Sequence, residues 1–259
     1  MQNKFLADYE IETNLRAAVE AQAFKLLYQP VVSLDTMEVS GFEALLRWPD
    51  HPEIGPDKFI PIAEKNLLII ELGRWVIFES LKQLSVWNKI SLNPMSMAIN
   101  ISPVQLSDPE LITFIKTCFE QHNISPKLVE FELTETALLV DSDLTSSAIQ
   151  ALSDLGCRIA LDDFGTGYSS LSHLHSYPIN TVKIDKSLMP SSSDKKLSKQ
   201  LINGLVPMIK SLGLNIIAEG VEQVLDLDMC KSLAVEKVQG YYFSRPLKVP
   251  EIEKSYLGA

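Results

Sequence analysis

Apolar runs of six to eight residues recur along the chain, and most are followed by a stretch whose apolar positions repeat every three or four residues. The runs predict strands over 26–32 (LLYQPVV), 39–46, 95–101, 128–133, 157–162, 180–185, 214–219 and 236–241. The intervening stretches predict helices over 56–66, 69–87, 109–123, 144–156, 169–177, 196–213 and 225–234. Repeated strand then helix is the pattern of a parallel sheet with helical crossovers. Eight strands in one α/β domain favour closure into a TIM-type (β/α)8 barrel, although an open doubly wound sheet also fits this periodicity. Gly73, Gly156 and Gly213 are read as left-handed caps where helices end, and Pro103, Pro109, Pro126 and Pro178 fall in connections. The segment 190–196 (PSSSDKK) reads as an exposed loop and a candidate lid.

Composition narrows the class. A chain of 259 residues can remove roughly 75% of its extended surface from water, enough for one large core without disulfides. Cys118, Cys157 and Cys230 lie far apart and have no metal-ligand spacing, which points to reduced thiols and a cytoplasmic setting. The first twenty residues are polar and amphipathic, with neither a secretory core nor a membrane span. With 33 acidic against 23 basic side chains the formal charge is −10. This argues against DNA or RNA polymers as partners, because counterion release needs clustered Lys and Arg. A phosphate ligand of small size stays open, since bound divalent cations would reverse the sign of an acidic cleft.

Several acids sit singly at the ends of apolar runs: Glu132, the Asp162-Asp163 pair, Asp185 and Glu219. Burying an ionised carboxylate costs several kcal/mol unless cations or donors compensate it, so converging acids suggest a divalent metal centre. Active sites of this barrel form at the C-terminal ends of the strands. Asn100, Glu132, Asp162, Lys183, Glu219 and Gln239 all lie there or one step beyond, and are expected to face one cavity. Taken singly, Asp162-Asp163 would read as turn acids before Gly165, and Lys183 as a surface lysine.

The segments YQPVV (28–32), GFEALLRW (41–48), FIPIAE (59–64), INISPVQL (99–106), ELTE (132–135), DDFGTGYSSL (162–171), VKID (182–185), AEGVE (218–222) and QGYYFSRP (239–246) occur in this order. Together they make the chain resemble the EAL-domain family of cyclic di-GMP phosphodiesterases over essentially its full length, 1–259, as a single domain. The resemblance implies a barrel whose first strand runs antiparallel to the rest. It also implies hydrolysis of cyclic di-GMP to linear 5'-pGpG with two Mg²⁺ or Mn²⁺ ions, and inhibition by Ca²⁺. By position, Glu43, Asn100, Glu132, Asp162 and Asp163 match the family's metal ligands, with Asp162 bridging. Hard cations take oxygen ligands, and two of them roughly 3.5–4 Å apart activate water and offset charge at phosphorus. Glu219 matches the general base or water-orienting glutamate, and Lys183 the lysine that holds the water or a phosphoryl oxygen.

Gln29, Arg47, Asp185 and Gln239 match positions expected to contact substrate, Gln239 also orienting water or metal-bound oxygens. Glu135 and Glu222 are expected behind the ligands, Glu135 tying down the 162–171 loop in which Gly165 and Gly167 turn and Thr166, Tyr168 and Ser169 hydrogen-bond. Tyr241 or Phe243 is a candidate to stack on guanine, with core packing as the alternative. His51, His122, His173 and His175 form no ligand set. The chain departs from the family pattern in a short connection at Gly55-Pro56, in Asp226 where Gln is common, and in Ala234-Val235-Glu236 where Gly-Cys-Asp is common. None of these positions is expected to carry the chemistry. The resemblance further implies a homodimer and coupling to a sensory domain or protein partner. A receptor that binds cyclic di-GMP without cleaving it is the alternative function.

Overall fold

The computed structural model describes residues 2–139, 143–165, 176–190 and 195–258. Eight strands close into a barrel in sequence order. They are β1 (Lys25–Ser33), β2 (Val39–Arg47), β3 (Ser96–Asn100), β4 (Val129–Thr134), β5 (Arg158–Phe164), β6 (Thr181–Ile184), β7 (Asn215–Ala218) and β8 (Lys237–Val238). The strand β1 pairs antiparallel with both β2 and β8, and all other pairs are parallel. The closed barrel excludes the open doubly wound sheet, and the reversed first strand is as the resemblance implies.

The principal helices are α1 (Gln2–Glu20), α2 (Pro56–Lys65), α3 (Leu68–Ile90), α4 (Pro103–Leu106), α5 (Leu111–His122), α6 (Glu135–Leu139), α7 (Asp143–Asp154), α8 (Lys195–Ser211), α9 (Val224–Ser232) and α10 (Val249–Ile252). Most ends fall within a few residues of the periodicity. The eighth strand is shorter than expected, and just beyond it Gly240 lies against the Val221 backbone, where a Cβ would come within 2.3 Å of the Val221 nitrogen. Gly73 corrects the reading of it as a cap: it lies inside α3, and its missing Cβ makes room for the Gln105 side-chain amide. Gly156 and Gly213 do take positive φ, 94° and 75°, after α7 and α8. The helix expected over 169–177, apart from its last residues, and the loop core 191–194 lie outside the described residues, as do Thr166, Gly167, Tyr168, Ser169, His173 and His175.

Strand alternation sorts the core. Phe42, Phe131, Leu133, Val182 and Ile184 point outward into the layer beneath the helices, where Phe42 meets Trp87 at 4.7 Å between ring centroids. Burial of such a Phe contributes roughly 1.5–3 kcal/mol. A second apolar cluster, with Phe24, Trp48 and Phe59, holds α1 and α2 against the start of α3.

The intervening positions face the barrel axis and carry its polar groups, beside the apolar Ala98, Ala160 and Ile217. In a lower layer, Arg158 pairs with Glu130 at 3.4 Å and donates to the Thr181 hydroxyl at 3.1 Å, and Thr181 in turn donates to Glu130. Lys237 on β8 adds its charge to this layer: burial lowers its ammonium pKa, Glu130 raises it and Arg158 opposes protonation again. The upper layer forms the site.

Candidate functional site

Antiparallel pairing sets Gln29 opposite Glu43, and parallel pairing sets Asn100 opposite Glu132. Asp162 and Asp163 lie in β5, Lys183 lies in β6, and Glu219 and Gln239 follow β7 and β8 directly. Backbone bonds fix the last two: the Glu219 N–H donates to Ile184 O at 2.9 Å and the Gln239 N–H to Ala218 O at 2.9 Å.

These side chains converge on Lys183, whose own side chain is 1% exposed. Its Nζ lies 2.8 Å from Glu132 Oε1, 2.8 Å from Glu219 Oε1, 3.3 Å from Asp162 Oδ1 and 3.5 Å from Glu43 Oε2. Glu43 is oriented further by Asn100 Nδ2, donating to Oε1 at 2.8 Å, and by Gln239 Nε2, donating to Oε2 at 2.6 Å. Gln239 Nε2 also reaches Gln29 Oε1 at 3.1 Å, and Gln29 Nε2 donates to Ser244 O.

The carboxylates titrate differently because their surroundings differ. Burial opposes charge on Glu43, but Lys183 and the bonds from Gln239 and Asn100 outweigh it and hold its pKa below the usual value. Burial and the nearby Glu43 drive Glu132 well above the carboxylate range, against the pull of Lys183. Burial, with Asp162 and Glu43 nearby, pushes Glu219 up to about 8 despite Lys183. Burial disfavours the Lys183 ammonium, yet Asp162, Glu132, Glu219 and Glu43 together keep it protonated well above its ordinary range.

Two features fit a metal centre. Glu132 Oε2 is buried without a hydrogen-bond partner, a cost that a hard cation would remove. Oxygens of Asp162, Asp163 and Glu219 all lie within 4.8 Å of one another. Asp163 adopts φ 56° and donates its N–H to Asp162 Oδ1 at 3.0 Å, which folds the acidic pair back on itself. The donor set is oxygen throughout, suited to Mg²⁺ or Mn²⁺.

Behind the pair, Glu135 Oε1 accepts from the Gly165 N–H at 3.3 Å, joining α6 to the turn that follows β5. Asp185 accepts from the Ser187 N–H at 2.8 Å and caps the short turn after β6. Glu222 is exposed, and its N–H donates to Asp226 Oδ2 at 3.1 Å. Arg47 lines a cavity of about 360 Å³ that opens beside Glu43, Asn100 and Glu132. Tyr241 is 49% exposed with the Arg245 guanidinium 4.3 Å from its ring centroid, whereas Phe243 packs onto the core.

Glu64 and Asp226, for which the sequence offers no role in the chemistry, support this site. Glu64 lines the cavity and accepts from the Ser102 hydroxyl at 2.6 Å. Asp226, wholly buried, accepts from the Glu222 and Gln223 N–H groups and so shapes the turn that follows Glu219. Only its place three residues after the helix N-cap signals this role.

Fold and rim define a barrel protein with a carboxylate centre at the C-terminal ends of its strands. The chain belongs to the EAL-domain family, whose model matches residues 12–246. It is 36% identical over 248 residues to the cyclic di-GMP phosphodiesterase PdeR of Escherichia coli K12, covering 95% of this chain and 37% of PdeR. It is 37% identical over 254 residues to the signaling protein YkoW of Bacillus subtilis, covering 97% of this chain and 32% of YkoW. The chain thus spans about a third of the length of these relatives. Among solved structures, the PaMucR phosphodiesterase in complex with c-di-GMP superposes with a TM-score of 0.86 at 32% identity, covering 94% of this chain and 99% of that one. The EAL enzyme Bd1971, in its cAMP and cyclic-di-GMP bound form, gives 0.90 at 30% identity, covering 97% and 69%. No helix among the described residues is long and apolar enough to cross a membrane.

Proposed function

We propose that residues 1–259 act as a single phosphodiesterase domain that hydrolyses cyclic di-GMP to linear 5'-pGpG with two Mg²⁺ or Mn²⁺ ions. The observation that carries this reading is the convergence of Glu43, Glu132, Asp162 and Glu219 around Lys183, with Glu132 Oε2 left without a partner. Glu43, Asn100, Glu132, Asp162 and Asp163 would hold the ions. Counted formally, these four acids and Glu219 against one ammonium leave four negative charges, which two divalent cations balance. When bound, the ions supply Lewis acidity at the phosphoryl oxygens and acidify a water.

The chain's own residues do the rest. Glu219, beside Asp162 and Lys183, accepts the proton of the attacking water. Lys183 holds its charge at the same place and steadies the water or a phosphoryl oxygen. Arg47, projecting into the cavity beside Glu43, presents a planar guanidinium to the substrate's phosphate. Gln239 holds Glu43 in place and is itself held by Gln29, and Asp185 lies at the rim. A cytoplasmic setting fits three buried thiols that form no disulfide.

Turnover of cyclic di-GMP by the purified chain tests the proposal, with Mg²⁺, Mn²⁺ or EDTA and chromatographic separation of pGpG from GMP. Metal-dependent pGpG formation that is lost in Glu43→Ala is the expected result. Ligand binding without product in any metal would instead mark a receptor.

A further inference from the structure

The catalytic reading leaves one property of Lys183 unexplained. A lysine needed only to touch water or phosphate would contact one or two acids, yet this ammonium lies within 3.5 Å of carboxylates from β2, β4, β5 and the end of β7. Among the described residues no other ammonium or guanidinium comes within 4.0 Å of these four groups. The Lys183 side chain is itself almost wholly enclosed, so its charge sits among the carboxylates and not in solvent. Four acids from four elements crowd the barrel axis, and any of them that ionise repel one another unless a positive charge offsets them.

We propose that Lys183 is a built-in counter-cation: it keeps the ligand carboxylates assembled when no metal is bound, and it weakens metal binding because its charge stays in place when the ions arrive. The inference rests on the metal reading above and extends it to the metal-free protein. A surface lysine would retreat from an incoming cation at little cost, whereas a buried ammonium repels it at short range in a medium of low polarity. The site is thereby formed in advance of its ions and binds them reversibly, so metal availability regulates activity without unfolding the barrel.

Lys183→Met keeps an unbranched side chain and removes the charge. Two readouts besides activity test the proposal at pH 8.5: Mn²⁺ affinity by electron paramagnetic resonance, and the melting temperature in EDTA and in saturating Mn²⁺. The expected result is at least tenfold tighter Mn²⁺ binding, a lower melting temperature in EDTA, and a larger Mn²⁺-induced rise than wild type shows. A variant that binds Mn²⁺ no more tightly than wild type, or melts in EDTA as wild type does, overturns the proposal and leaves the metal site standing. Wild type that binds no Mn²⁺ overturns both. Should Lys183→Met fail to fold in EDTA, Lys183→Met/Glu132→Gln decides: folding restored by removing one acid supports the counter-cation, and continued failure rejects it.

Discussion

Gln239 Nε2 donates to Glu43 Oε2 at 2.6 Å, so the residue after the last strand of the barrel sets the orientation of the acid on the second. Replacing Gln239 by Leu removes that donor from a carboxylate that is 5% exposed. An oxygen buried without its donor costs roughly 1–3 kcal/mol, and loss of a residue that orients a ligand typically lowers metal affinity about 10–100-fold. Gln239→Leu is therefore expected to shift the Mn²⁺ concentration for half-maximal turnover upward by that factor. An unchanged metal requirement would show that Gln239 does not act through Glu43.

Glu219 gives a pH dependence with a definite sign. Its carboxyl rises from 4.5 to about 8 in the metal-free fold. Between these values the native chain keeps a proton that the unfolded chain has released, so this contribution to metal-free stability is complete below pH 4.5 and is lost as pH rises toward 8. Cations held beside it by Asp162 and Asp163 would favour the ionised carboxylate and release the same proton, so apparent Mn²⁺ affinity should climb across this window. Calorimetry at pH 7 in two buffers of different ionisation enthalpy should register proton release, and Glu219→Gln should reduce it.

The Glu135 carboxylate and the Gly165 N–H tie the turn after the acidic pair to α6. Glu135→Ala is expected to leave the fold intact and raise the Mg²⁺ requirement, read from a titration of rate against Mg²⁺. Gly165→Ala should be worse, because φ is 99° and a Cβ would approach Leu188 Cδ1 to 2.6 Å. Such backbone strain costs roughly 1–3 kcal/mol, visible as a lower urea midpoint.

Ala234 adopts φ 52°, where an L side chain is strained and glycine is not. Its N–H still bonds to Lys231 O at 3.0 Å, and its carbonyl accepts from Lys210. Ala234→Gly keeps both bonds and is expected to stabilise the protein by roughly 1 kcal/mol. Equilibrium urea unfolding with an unchanged slope measures it.

Cys157 and Cys230 are pushed up to about 12 by burial, and burial also raises Cys118. A thiolate is the reactive species, so all three should resist a disulfide reagent at pH 8 in the native protein and react together in denaturant. Rapid labelling of the native chain would contradict their burial.

The strands were legible because outward positions such as Phe131, Leu133, Val182 and Ile184 are apolar and must be covered by helices. Glu132 stood out for the complementary reason, as a charge at the end of such a run, whereas Glu43 was legible only through the family motif around it and Lys183, taken singly, reads as a surface lysine. Gly73 misled because a glycine between helical patterns looks the same whether it ends a helix or admits a neighbour such as Gln105. Pairing of Glu130 with Arg158 was not legible, since the partner comes from a strand many residues away. The same holds for Glu64, which gains its meaning from Ser102 across a loop. The reversed β1 leaves no periodic trace, because an apolar run reads alike in either direction.

The lower polar layer of Glu130, Arg158, Thr181 and Lys237 fills the barrel across its axis below the site. With Glu130 and Thr181 buried beneath it, the carboxylate centre lies beside the cavity lined by Arg47 and Glu64. A ligand that enters through that cavity would leave by it too, so a product still seated there would block the next molecule.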